Sequence, residues 1–153
     1  MSDYRPVYLD TSALLKLVVA EAESGALMEW LRDWPDQVTS TLARIETIRR
    51  LKRKRASKAA FARAEAVLAA VDAIHLDGPV LSTAVALKDP LLRSLDALHL
   101  ACALSIGDVP EAFVTYDAHL ASAARRLKIT VVAPGTQTMS SAFSSQVTVR
   151  PSR

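Results

Sequence analysis

Short apolar runs of β-branched or aromatic character alternate with helix-length stretches along most of this chain, and that alternation leaves few folds open. Val7-Tyr8-Leu9 is the first such run, and it ends at Asp10. It reads as a buried strand. Thr11 and Ser12 can then cap a helix over residues 13–21. A second helix is expected over 24–34, closed by Pro35. Residues 37–40 form a short strand, followed by helices over 41–55 and 58–71. Ile74-His75-Leu76 reads as a short strand before the Asp77-Gly78-Pro79 turn. Helices over 80–88 and 92–106 follow, the second one strongly apolar and broken by Gly107-Asp108-Val109-Pro110. A strand over 112–115, a helix over 118–127 and a last strand over 130–132 complete the pattern. Strands separated by helices need crossover connections, hence a parallel sheet with helices on both faces.

A length of 153 residues suits one domain with a real core. Hydrophobic residues make up 50% of the chain and aromatics only 5%, so that core must be built from Ala, Leu and Val. No apolar run reaches the roughly 18–20 residues of a membrane span, and the first residues lack the apolar core of a signal peptide. A single cysteine, Cys102, excludes an internal disulfide. These features predict a soluble cytoplasmic protein. Beyond Pro134 the composition turns to Ser, Thr and Gln, which suggests a domain over 1–134 and a tail over 135–153, mobile or docked on the surface.

The formal net charge of +3 conceals an uneven distribution. Nine of the nineteen Lys and Arg residues lie between Arg44 and Arg63, where Glu46 is the sole acid. A local basic stripe suits a polyanion, because each neutralised phosphate releases counterions. It is equally the ordinary solvated face of a helix.

Open parallel sheets bind ligands beyond the carboxyl ends of their strands. Asp10 and Asp117 both follow strands there, although a strand-end Asp also serves as a helix cap. Asp96 lies on the apolar helix, with Leu92, His99, Leu100 and Ala103 as its nearest helical neighbours. It should be partly buried, and a buried carboxylate needs a cation or hydrogen bonds. His99 is its candidate structural partner. Glu46 shares a helix face with Arg49, Arg50 and Arg53, an arrangement that fits ion pairing along the helix or one carboxylate ringed by phosphate-binding arginines.

Close carboxylates repel and raise one another's pKa, so a cluster of them is costly without a cation. Magnesium takes hard oxygen ligands and keeps several waters. It can acidify a bound water and stabilise charge on a phosphoryl centre. Four acids around one or two ions therefore describe a metal-dependent phosphodiesterase. The chain has no Cys/His zinc spacing, no glycine-rich phosphate loop and no G-x-S-x-G elbow.

These residues also carry a resemblance. Leu9-Asp10-Thr11-Ser12-Ala13, Arg44-Ile45-Glu46, the run from Leu95-Asp96-Ala97 through Ala101, and Val114-Thr115-Tyr116-Asp117-Ala118-His119-Leu120 together resemble the PIN-domain toxins of VapBC systems. The similarity runs from about Tyr4 to Pro134. It implies an α/β fold, a three-layer α/β/α sandwich on a mostly parallel sheet of four to five strands. It implies a metal site of Asp10, Glu46, Asp96 and Asp117 that binds Mg2+, with Mn2+ as the alternative, and supporting hydroxyls from Thr11, Ser12 and Thr115. It further implies hydrolysis of RNA, transfer or ribosomal in this family, a cognate antitoxin protein and a homodimer. Arg49, Arg50 and Arg53 are the candidate RNA-binding residues. The apolar helices between Leu14 and Leu31 are the candidate dimer surface.

Other readings fit less well. An Asp-nucleophile phosphatase wants a second Asp two residues after the first, and Ser12 stands there. A receiver domain wants paired acids after its first strand, and none are present. The remaining alternative is a PIN-like module that binds RNA or protein without turnover.

Overall fold

The computed structural model describes residues 5–107 and 109–136. Most of the tail expected over 135–153 therefore lies outside the described residues. Five strands, β1 (Val7–Leu9), β2 (Gln37–Ser40), β3 (Asp72–Ile74), β4 (Ala112–Val114) and β5 (Val131–Val132), form one sheet in the order β3-β2-β1-β4-β5. All four pairings are parallel. The helices are α1 (Thr11–Val18), α2 (Ser24–Leu31), α3 (Thr41–Arg53), α4 (Lys58–Ala70), α5 (Gly78–Ala86), α6 (Ser94–Leu104) and α7 (Ala118–Arg126).

Strand alternation sorts the core into two layers. Val7 and Leu9 of β1, with Ala112 and Val114 of β4, pack on α1 to α4 through Leu14, Leu27, Ala43 and Leu68. Tyr8 and Phe113 point the other way, stack with ring centroids 5.1 Å apart, and meet Val80, Leu100 and Leu120 of α5, α6 and α7. The result is the expected three-layer sandwich. Each fully buried Leu contributes about 1.5–3 kcal/mol, and the small side chains of Ala101, Ala103, Ala123 and Ala124 fill the same layer. Leu14 and Leu27 are fully buried and Leu31 nearly so, while Val19 and Met28 in the same stretch are exposed. Among the described residues, no helix is long and apolar enough to cross a membrane.

Element boundaries depart from the expectations in instructive ways. Helix α1 begins at Thr11, because Asp10, rather than Thr11 or Ser12, is its cap. Helix α2 stops at Leu31, three residues before Trp34, whose ring sits 5.4 Å from that of Trp30. Strand β3 pairs at Asp72, Ala73 and Ile74, two residues earlier than expected. Ile74 and Leu76 are partly buried against the α5–α7 core, whereas Asp72 and Ala73 are exposed at the sheet edge. Apolarity there marks where the chain packs, and edge pairing asks nothing of side-chain type. Gly135 adopts φ +88°, and a Cβ on it would stand 3.1 Å from Ala26 Cβ and from Glu23 Cα, so the chain lies close over α2.

The chain runs outward from β1 to β2 and β3, then crosses back so that β4 pairs with the other side of β1. That reversal opens a crevice at the carboxyl ends of β1 and β4, the standard place for a ligand in such sheets.

Candidate active site

Asp10 leaves β1 in extended conformation, and Oδ1 accepts from Ala13 N at 2.9 Å, capping α1. Two hydroxyls complete its shell. Ser12 Oγ donates to Oδ1 at 2.6 Å and Thr115 Oγ1 donates to Oδ2 at 2.5 Å. Ser12 in turn accepts from Tyr116 N at 2.8 Å, and Thr115 accepts from Asp117 N at 3.1 Å, so β1 and β4 are tied together through these side chains. The Asp10 carboxyl is only 2% exposed. Burial pushes its pKa up, and the hydrogen bonds from Ser12, Thr115 and Ala13 only partly oppose the rise. The site is thus short of positive charge at Asp10.

Glu46 reaches the same crevice from α3. Oε1 accepts from Thr11 Oγ1 at 2.9 Å and meets His99 Nε2 at 2.6 Å. Burial raises the Glu46 pKa, but the hydrogen bond and charge of His99, the Thr11 hydroxyl and the nearby Arg50 outweigh it and leave the group below its ordinary value. His99 is 3% exposed, and its Nδ1 lies 2.9 Å from the Tyr8 hydroxyl. Both ring nitrogens of this buried imidazole thus have a partner, Glu46 on one side and Tyr8 on the other. This arrangement corrects the expected Asp96–His99 pair. One helical turn brings the two residues near in sequence, but His99 points across the sheet end to Glu46.

Asp96 sits in the first turn of α6, where the N-terminal end of a helix favours an anion. Its partner is Arg93, whose Nε lies 3.2 Å from Oδ2. Asp117 caps α7, with Oδ1 accepting from His119 N at 2.9 Å and Leu120 N at 3.1 Å. Its Oδ2 lies 3.8 Å from Arg93 Nη2. Both strand-end acids are therefore helix caps and crevice acids at once. The two roles use different oxygens in Asp117.

One cavity of about 240 Å³ brings Asp10, Glu46, Asp96 and Asp117 together, with Thr11, Ser12 and His99 in its wall. Thr115 supports it from behind, 1% exposed. Of the three candidate RNA-binding arginines on α3, Arg50 lines the cavity, while Arg49 and Arg53 are exposed outside it. His99 and Arg93 belong to the site and were missed from sequence. For His99 the signal was its place one turn after Asp96, assigned to the wrong carboxylate.

Among the described residues, no three His, Cys, Asp or Glu side chains stand close enough to cage an ion as they are. The donor set still fits a hard divalent cation. It offers carboxylate oxygens, no thiolate, and an open volume, which suits an ion that keeps several of its waters. Asp10, buried with a raised pKa despite three donors, is the group that such a charge would relieve.

Comparison with known proteins places the chain in a family. The PIN domain family model matches residues 7–126. The chain is 44% identical over 133 residues to Ribonuclease VapC35 of Mycobacterium tuberculosis, covering 84% of this chain and 97% of that one. The solved structure of M. tuberculosis VapC20, described as a sarcin-ricin loop cleaving toxin, superposes with TM-score 0.62 at 23% identity, over 76% of this chain and 94% of the other. A toxin–antitoxin complex from Klebsiella pneumoniae contains a chain that superposes with TM-score 0.58 at 21% identity, over 72% and 86% respectively. The last two likenesses speak for the fold, and the first, with the family model, for descent: the chain belongs to the PIN-domain family and, within it, to the VapC group.

Proposed function

We propose that this protein is a divalent-metal-dependent endoribonuclease and the toxin of a toxin–antitoxin pair. The observation that carries the reading is the convergence of four carboxylates from β1, α3, α6 and β4 on one crevice, two of them fixed by dedicated hydroxyl donors. The 44% identical relative is named a ribonuclease, which supports RNA as the substrate class. The Klebsiella complex supports an antitoxin as the protein partner. A homodimer and a cytoplasmic setting belong to the same reading.

Asp10, Asp96 and Asp117 would hold Mg2+ or Mn2+, with Glu46 completing the set. A divalent ion there supplies Lewis acidity, lowering the pKa of a coordinated water and offsetting charge on the phosphoryl group. The chain's own contribution is orientation. Thr115 and Ser12 fix both oxygens of Asp10, so the carboxylate cannot rotate away. Both partners of Glu46 fall on Oε1, which leaves Oε2 to take a proton from, or to orient, the attacking water. His99 holds Glu46 and is itself held by Tyr8, a relay of position across the sheet end. Arg50, exposed and lining the crevice, would meet a backbone phosphate of the RNA. Arg49 and Arg53 extend the same basic helix outside the crevice and would contact the strand further along.

The test is cleavage of a cellular RNA pool by the wild type and by Asp96→Asn, with Mn2+ or with chelator. Cutting by the wild type alone, and only with metal, is expected. A folded, metal-binding wild type that cuts nothing would leave the protein a binding module.

A further inference from the structure

The guanidinium of Arg93 lies against the two carboxylates that the crevice would use to grip an ion. Its Nε meets Asp96 Oδ2 at 3.2 Å, and its Nη2 stands 3.8 Å from Asp117 Oδ2. The oxygens matter. Asp117 Oδ1 is already committed to the first N–H groups of α7, so Oδ2 is the oxygen left for a cation. In Asp117, Arg93 faces the oxygen that a metal needs, and in Asp96 it occupies Oδ2.

We propose that Arg93 is a positioning residue that bridges Asp96 and Asp117 while the site lacks a divalent ion and is displaced from them when the ion binds. This proposal rests on the nuclease reading above and adds a residue to it. The backbone explains how Arg93 gets there. It is the extended residue just before α6, at φ −67° and ψ 151°, one turn ahead of Asp96. Its carbonyl accepts from Ala97 N at 2.9 Å, which anchors the backbone while the side chain stays free.

Exposure decides that the bridge can yield. The Arg93 side chain is 70% exposed, against 13% for Asp96 and 32% for Asp117. A solvated arginine pair of this kind contributes only about 0.2–1 kcal/mol. A divalent ion carries twice the charge and is smaller, so it would compete with the guanidinium for both aspartates. The bridge therefore relieves the repulsion between Asp96 and Asp117 without the ion, yet opposes its entry only weakly. Arg93 also lines the larger neighbouring cavity beside Leu91 and Arg126, so a displaced side chain has open space to enter.

The experiment is calorimetric titration of the full chain with Mn2+ alone, with no RNA present. Arg93→Gln should bind Mn2+ roughly two- to fivefold more tightly than the wild type, the fold-change equivalent to an exposed pair. Arg93→Lys, which keeps the charge but loses the planar fork, should lie between them. Arg126→Gln serves as the control for general field effects. Arg126 pairs with Asp89 in the neighbouring cavity, and its loss should leave Mn2+ affinity at the wild-type value. Equal or weaker binding by Arg93→Gln would overturn the proposal, as would an equal gain in Arg126→Gln. If the wild type binds Mn2+ and Asp96→Asn does not, such a result refutes the Arg93 bridge and leaves the nuclease reading standing. Absence of Mn2+ uptake in every variant would overturn both.

Discussion

Replacing Thr115 by Val keeps the shape of a side chain that is 1% exposed and removes its hydroxyl. That hydroxyl donates to Asp10 Oδ2 at 2.5 Å and accepts from Asp117 N at 3.1 Å. A hydrogen bond to a charged group contributes about 1.5–3 kcal/mol, and an orphaned backbone N–H costs about 1–3 kcal/mol when fully buried. Asp117 N lies beside the open crevice, where water can meet it, so the smaller end applies. The expected loss is about 2–4 kcal/mol without metal, and at about 2–4 °C per kcal/mol that lowers Tm by about 4–16 °C. Ser12 cannot substitute. Although its Oγ is 3.4 Å from that of Thr115, it already serves Asp10 Oδ1 and Tyr116 N. Loss of the Thr115 donor also pushes the Asp10 pKa further up and frees its carboxylate to rotate, so Mn2+ affinity should fall together with stability. Urea unfolding in chelator and Mn2+ titration read the two effects. A stability loss below about 0.5 kcal/mol, the level of a neutral surface change, with unaltered Mn2+ affinity would refute the idea that Thr115 sets Asp10.

Two further outcomes follow from the buried groups. Because burial raises the pKa of Asp10, its folded carboxyl favours stability at pH below the unfolded value, and that contribution is lost as pH rises through the folded value. Relative to the wild type, Asp10→Asn should therefore gain stability in chelator as pH rises from about 4 to 7, and Mn2+ should raise the Tm of the wild type but not of the variant; a relative loss over that range would contradict the sign. Cys102 is fully buried on α6, and burial pushes its thiol up to about 11. It should resist iodoacetamide at pH 8 until the chain unfolds, and rapid labelling of the native protein would mean that α6 opens readily.

Much of this architecture is legible in the sequence because strand and helix signals rarely compete along it. Val7-Tyr8-Leu9 and Ala112-Phe113-Val114 are apolar throughout, as strands covered on both faces must be. Their carboxyl ends fix where Asp10 and Asp117 stand. What escaped is set by contacts between distant segments. The start of α1 depends on which of three adjacent polar residues caps it, and Asp10 does so because Ser12 and Thr115 hold it in place. His99 turns to Glu46 rather than Asp96 because α3 delivers that carboxylate 53 positions away in sequence. Arg93 was passed over because it lies in an extended residue where a continuous helix was expected. Apolar content between Leu14 and Leu31 does not tell core from surface: the core takes Leu14, Leu27 and Leu31, and Met28 is left exposed.

The central claim is that Asp10, Glu46, Asp96 and Asp117 form one metal site. Anomalous scattering from crystals of the protein soaked in Mn2+ tests it most directly. The account predicts a peak in the crevice between the ends of β1 and β4, within coordination distance of Asp10 and Asp96, and its loss in Asp10→Asn. A peak elsewhere on the chain, with none between these carboxylates, would contradict it.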